Sequence, residues 1–273
     1  MLQNTWVNNT VNLRGIIDSP FTFSHKVYDE GFYTFYVSVS RLSEVFDRLP
    51  ITISERLVKL DKLQVGANVY IEGQLRSYNS YDTEYKRNKL ILTVFTKDLV
   101  ILDAQRTLDE AADEAVEGAE DEAMSEAMDE AMDEGTENLQ DSLFLHNKTP
   151  NEIILNGYIC KPPVFRTTPF GREITDILLA VNRSYNKSDY IPCIAWGRNA
   201  RYISDMAVGD NIKIFGRMQS RIYQKRLENG ETIEKTAYEV SVSKVEIEPK
   251  PSEESEVGRT EEQLFSETSE TEA

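Results

Sequence analysis

Histidine and cysteine are nearly absent from this 273-residue chain, with two of each. His25 and His146 lie in unrelated contexts, and neither stands beside a nucleophile or in a metal-ligand spacing. Cys160 and Cys193 sit in apolar, strand-like surroundings with no C-x-x-C pattern. They read as two buried free thiols in a reducing compartment. None of the 13 glycines forms a G-x-G or a phosphate-cradling loop. Carboxylates are plentiful, but none pair inside the strand-rich segments. These absences predict a protein that is no enzyme and takes no metal or other cofactor. No apolar run reaches the roughly 18 residues of a membrane span. The N-terminus, MLQNTWVNN, lacks the basic and apolar regions of a secretory signal, so a cytoplasmic, nucleoid-associated location is expected.

What the chain has in excess is negative charge, −17 in total, and it is unevenly placed. Residues 1–106 carry +1 and residues 151–248 carry +2, whereas 107–150 carry −14 and 249–273 carry −6. The acidity therefore belongs to two segments of low-complexity or tail-like composition. The other two segments are near neutral, and a low overall pI does not exclude an anionic partner for them.

Comparing the chain with itself reveals a duplication. NTVNLRGII at 9–17 resembles NEIILNGYI at 151–159, and YVSVSR at 36–41 resembles LLAVNR at 178–183, both at an offset of 142. Leu49-Pro50 meets Ile191-Pro192 at the same offset, and VGANVYIEGQLRS at 65–77 meets VGDNIKIFGRMQS at 208–220 at 143. Blocks in one order and nearly one register mark a repeated domain.

Each copy reads as strands. In the second, Asn151–Val164, Ile174–Arg183, Asp189–Gly197, Asn211–Tyr223 and Thr236–Ile247 are apolar and β-rich. Gly157 and Gly216 inside two of them mark bends or bulges. Arg198–Met206 has the composition of a short helix, and Asn229-Gly230 is a hairpin turn signal. Five strands with a helix between the third and fourth predict an OB-fold barrel. The first copy gives the same strand count over Thr10–Leu102, without a clear helix. The expected fold is all-β: two five-stranded OB-fold barrels, a degenerate one at 1–106 and a binding one at 151–248. An acidic linker at 107–150 joins them, and a disordered acidic tail follows at 249–273. In the linker, alanines every fourth residue from Ala111 to Ala131 favour helix over Leu108–Glu134, but like charges at that spacing oppose it. A mobile, partly helical spacer is expected there, with a partner-docking helix as the alternative.

Binding chemistry is concentrated in the second copy, where aromatics alternate with cations. The rings are Phe165, Phe170, Tyr185, Tyr190, Trp196, Tyr202 and Tyr223. The interleaved cations include Arg166, Arg172, Arg183, Lys187, Arg198, Arg201, Arg217, Arg221, Lys225 and Arg226. Single-stranded nucleic acid is held by this mixture: cations track phosphates while rings stack on bases, at about 1–3 kcal/mol per base. Barrels also bury aromatics in their cores, and Phe215 and Tyr202 are assigned there. Tyr185 and Tyr223, in or beside polar segments, are expected to be exposed. On Asp189–Gly197, strand alternation puts Tyr190, Pro192, Ile194 and Trp196 on one face, with Cys193 and Ala195 on the other.

The second copy resembles the bacterial single-stranded DNA-binding protein family along nearly its whole length. The blocks that carry the resemblance are NEIILNGYI, FGREITDILLAVNRSY, DYIPCIAWGRNARYI, VGDNIKIFGRMQSRIY and YEVSVSKVEI. It implies an OB-fold that binds single-stranded DNA without sequence preference in replication, recombination or repair. It also implies stacking by Tyr185, Tyr190, Trp196 and Tyr223, and phosphate contacts from Arg183, Arg198, Arg217 and Arg221, with Lys225 and Arg226 beside them. Because such proteins commonly assemble four barrels, a homodimer is implied. Family members recruit replication and repair proteins through an acidic tail with an apolar tip. This sequence ends SETSETEA instead, and its nearest equivalent, around Leu264-Phe265, is internal.

The first copy has Ser43, Arg48 and Ser54 where the second has Tyr185, Tyr190 and Trp196. Three ring positions are lost, which favours a barrel kept for assembly or spacing. Those losses and the acidity also support an alternative, a protein-interaction scaffold of primosome-like or mobile-element type. The same comparison bears on Trp196. A core tryptophan should have a large apolar duplicate, so a serine at its counterpart tilts Trp196 toward a ligand.

Overall fold

The computed structural model describes residues 8–41, 43, 45–57, 63–82, 87–102, 149–184, 186–226, 230 and 232–247. The linker-helix expectation over Leu108–Glu134, the tail and Tyr185 lie outside these described residues. In chain order the elements are β1 (Asn9–Ile17), β2 (Thr22–Val27), β3 (Glu30–Ser40), β4 (Phe46–Ser54), β5 (Asn68–Asp82) and β6 (Arg87–Ile101). The second copy follows with β7 (Asn151–Ile159), β8 (Val164–Thr167), β9 (Glu173–Arg183), β10 (Lys187–Trp196), α1 (Gly197–Ser204), β11 (Asn211–Arg226) and β12 (Thr232–Ile247).

Each copy closes on itself. β1 pairs with both β5 and β3, while β4 meets β6 in parallel at Ile51↔Val94. In the second copy β7 pairs with β11 and β9, and β10 meets β12 in parallel from Cys193↔Val240 to Ala195↔Val242. These two closures make two OB-fold barrels. The count per copy is six strands rather than the expected five. The single run Asn151–Val164 breaks after Ile159, where Lys161-Pro162-Pro163 interrupts it, and Val164–Thr167 forms a short hairpin arm on β9. Proline lacks the N–H a ladder needs, so the break falls there.

Period-2 burial fills the barrels. Val11, Leu13 and Ile17 point inward from β1, as Ile153, Leu155 and Ile159 do from β7. Gly157 lets β9 cross closely, since a Cβ there would lie 2.5 Å from the Ala180 carbonyl oxygen. At Gly216 the β11–β12 register shifts, the bulge expected of a glycine in that strand.

The barrels share one twelve-stranded sheet, joined by antiparallel pairing of β1 with β7. Val11 pairs with Ile153, its own counterpart at offset 142, so a pseudo-twofold axis passes between them. Hydrogen bonds obey the same symmetry: Arg14 N–H to Pro150 O, and Asn156 N–H to Asn8 O, both about the ordinary length.

A second symmetric pair clasps the barrels. Asp189, 1% exposed, accepts from Ser77 N–H of the first barrel at 2.8 Å and from Arg76 at 3.0 Å. Asp47, equally buried, accepts from Ser220 N–H of the second barrel at 2.7 Å and from Arg41 Nε at 2.6 Å. The Tyr190 N–H also donates to Ser77 Oγ at 2.7 Å. Each barrel thus inserts a buried carboxylate into the base of the other's long hairpin. Tyr238 of the second barrel meets Tyr36 of the first, and burial together with that contact pushes the Tyr238 hydroxyl up to about 12.

Candidate nucleic-acid interface

Strand β10 places the central rings. Its inward side chains Asp189, Ile191, Cys193 and Ala195 are buried, and Tyr190 and Trp196 are exposed at 47% and 36% on the opposite face. Ile194, between them on that face, is covered at 4% exposure, so the two rings are separate rather than a continuous strip. Burial drives the Cys193 thiol well above its usual range, and Cys160 is raised by the same cause. Both cysteines are free.

Trp196 ends β10, and Gly197 takes a left-handed φ of 53° to start α1. The chain turns away from the indole, which lines two adjoining open depressions. One, about 540 Å³, is bounded by Gly171, Arg172, Glu173, Gly197 and Arg201. The other, about 560 Å³, is bounded by Thr168, Phe170 and Arg172. Phe170 stands 92% exposed at the tip of the β8–β9 hairpin, beside Gly171 with φ 74°. Arg201 Nε lies 2.5 Å from Glu173, an ion pair that raises the arginine's pKa. Trp196 thus shares its depressions with Phe170, Arg172 and Arg201, the kind of ring-and-cation set that can stack a base and meet a phosphate.

A second set lies on β11. Alternation puts Arg217, Arg221, Tyr223 and Lys225 on one face of that strand and Arg226 on the other. The Arg221 guanidinium is 5.7 Å from the Tyr223 ring centroid, and its Nε is 3.7 Å from Glu239. β12 lies between β10 and β11; Trp196 follows the Ala195↔Val242 pairing while Tyr223 pairs with Lys235, so the two sets are also offset by several residues along the strands.

The six expected cations differ in their surroundings. Arg198 and Arg226 are exposed, and Lys225 is half-buried. Arg183 turns one guanidinium nitrogen to 3.7 Å from Asp189, and Arg217 reaches 3.6 Å from Asp47 of the first barrel. Both therefore also serve the inter-barrel clasp. Two aromatics assigned to the core lie elsewhere. Tyr202 is 46% exposed on α1, and Phe215 sits on the outer sheet face between Lys213 and Lys244, at 5.4 and 5.2 Å. The helix is too short to bury more than Ala200 and Ile203, and the bulge at Gly216 sets the facing of Phe215.

Phe170, Arg172 and Arg201 were not singled out from the sequence as site residues. The available signal was an aromatic inside a turn, Thr168-Pro169-Phe170-Gly171, where no core position exists.

In the first barrel the counterparts carry no rings. Ser43 is exposed, and Arg48 lies 4.0 Å over the Tyr36 ring while bonding Asp18 at 3.1 Å. Ser54 is buried and donates to Glu30.

The model of the single-strand binding protein family matches residues 150–248. Single-stranded DNA-binding protein 1 of Staphylococcus aureus is 32% identical over 83 residues, 28% of this chain and 50% of that protein. Single-stranded DNA-binding protein A of Bacillus subtilis is 31% identical over 83 residues, 28% of this chain and 48% of that protein. The chain thus spans about half the length of the curated relatives it matches. The crystal structure of the single-stranded DNA-binding protein from Thermus aquaticus superposes over 89% of this chain and 94% of that one, at TM-score 0.57 and 17% identity. That likeness extends the shared fold across both barrels. The likeness to the single-strand binding protein family thus lies in residues 150–248, the second barrel.

Proposed function

We propose that this protein binds single-stranded DNA without sequence preference, and protects it during replication, recombination or repair. The observation that carries the reading is Trp196. Its exposed ring lines a cleft with Phe170, Arg172 and Arg201, while Ile191, Cys193, Ile194 and Ala195 of the same strand are buried. Stacking accepts any base because every base has a π-face, so lack of sequence preference follows from the chemistry. The flanking cations supply the salt-dependent phosphate attraction. Tyr190 and the Arg221–Tyr223 pair extend the path over the same barrel. No covalent step is involved, and two chains provide four barrels.

The test is the triple variant Tyr190→Ala, Trp196→Ala, Tyr223→Ala, assayed by anisotropy with labelled oligo-dT. At about 1–3 kcal/mol per ring, the loss is at least about a hundredfold. Circular dichroism and melting should match the parent, because all three side chains are exposed. Unchanged binding by a folded triple variant would move the function to a protein-interaction scaffold.

A further inference from the structure

The duplication allows each wall of the Trp196 cleft to be compared with its counterpart in the first barrel. At offset 142, Trp196 becomes Ser54, Arg172 becomes Glu30, Gly197 becomes Glu55 and Glu173 becomes Gly31, while Arg198 becomes Arg56. The substitutions are not scattered losses; the new side chains bond one another. Ser54 Oγ donates to the Glu30 carboxylate, and Arg56 Nη1 reaches Glu30 Oε2 at 3.4 Å. The Arg56 N–H donates to Ser54 Oγ at 3.1 Å. The Gly31 N–H donates to Glu55 Oε1 at 2.9 Å, and a Cβ at Gly31 would fall 2.5 Å from the other Glu55 oxygen. Glycine at 31 is what lets that carboxylate fold down onto the backbone. In the second barrel the cleft's glutamate, Glu173, stands at the position of Gly31 and pairs with Arg201.

We infer that Glu30 and Glu55 exclude the DNA backbone from the first barrel's counterpart of the Trp196 cleft, making this two-barrel chain a binder with one such groove. The inference rests on the proposed single-stranded DNA binding. A base arriving at this position finds a buried hydroxyl already bonded to a carboxylate, and no ring to stack on. At matched sequence positions the first barrel carries Glu30, Glu55, Arg56 and Lys59, a net charge of 0, where the second carries Arg172, Glu173, Arg198 and Arg201, a net of +2. The hairpin tip is retained in both barrels, with Tyr28 at 96% exposure in the place of Phe170. Within the cleft, charge reversal at one position, Glu30 against Arg172, is the centre of the divergence. Glu30 acts as a specificity-determining residue by refusing phosphate.

The experiment uses the full chain and the variants Glu30→Arg and Glu30→Gln. Two labelled oligo-dT strands serve as probes, one of about 15 nucleotides, the reach of a single barrel, and one about three times longer. Glu30→Arg should tighten binding of the longer strand about threefold to tenfold at low salt. It should also steepen the log–log salt dependence by about 0.7 per added phosphate contact. Glu30→Gln should move the same way by a smaller factor, and neither should alter binding of the short strand. Gln keeps the size of Glu and can still accept from Ser54, so it decides the matter if the arginine variant does not fold. If the parent binds oligo-dT and both folded variants match it on the longer strand, in affinity and in salt slope, the exclusion is overturned while the proposed function stands. A parent that binds no oligo-dT overturns both.

Discussion

Replacing Asp189 by alanine tests the clasp that fixes one barrel against the other. The side chain is 1% exposed and accepts from Ser77 N–H at 2.8 Å and Arg76 at 3.0 Å, with Arg183 at 3.7 Å. Removing the carboxylate leaves a buried N–H unpaired, which costs about 1–3 kcal/mol. It also strips two guanidiniums of their counter-charge, and breaking a buried ion pair from one side costs about 3–5 kcal/mol in all. Arg76 and Arg183 are 24% and 32% exposed and can turn partly to water, which places the loss near the lower end, about 3 kcal/mol. With a urea m-value of about 2–3 kcal/mol/M for a domain pair of this size, the midpoint should fall by about 1 M or slightly more. Asp189→Asn retains an acceptor for Ser77 N–H and should fall by less. Asp47→Ala, its pseudo-symmetric partner, should resemble Asp189→Ala, since Asp47 accepts from Ser220 N–H across the barrels and from Arg41 of its own barrel, with Arg217 of the other at 3.6 Å. Equilibrium urea unfolding followed by far-UV circular dichroism measures all three. A loss of stability for Asp189→Ala no larger than a surface substitution gives, about 0.5 kcal/mol, would refute the reasoning.

Two further outcomes follow from buried positions. Cys193 is 2% exposed and its thiol is shifted upward by burial, so little reactive thiolate is present near neutrality. A thiol-titrating disulfide reagent should modify at most Cys160 in the native chain and both thiols in denaturant. Gly157→Val should destabilise by at least about 1–3 kcal/mol, seen as a lower melting temperature, because its first side-chain atom would lie 2.5 Å from the Ala180 carbonyl oxygen.

The barrel strands and the α1 helix were legible because period-2 burial and a short helix-compatible run are local properties. Asp189–Gly197 shows this well: Cys193 and Ala195 are inside, and Tyr190 and Trp196 are outside, as alternation required. The duplication was legible too, and Val11 pairing with its own counterpart Ile153 gives it a symmetry axis. What could not be read was how the copies meet. Asp47 and Asp189 look like ordinary strand-start acids, and only the tertiary arrangement shows each accepting from the other barrel's hairpin. For the same reason Arg183 and Arg217 read as phosphate partners alone, although each also faces one of these carboxylates. Tyr202 and Phe215 were assigned to a core because aromatics favour one, but an eight-residue helix with two buried positions has no room for Tyr202. Phe170 counted among the second copy's aromatics but was not placed with the stacking rings, because it lies in a turn, where periodicity carries no information.

The most direct test of the account is fluorescence titration with oligo-dT in a Trp6→Phe background, which leaves Trp196 as the only indole of the two in the chain. Stacking on a base quenches an exposed indole, and the Trp196 cleft is the proposed centre of binding. The account predicts saturable quenching at micromolar or lower concentrations, weakening with salt by about 0.7 per phosphate contacted on a log–log plot, with little response to duplex of equal length. Unquenched Trp196 at saturating oligo-dT and moderate salt would contradict it.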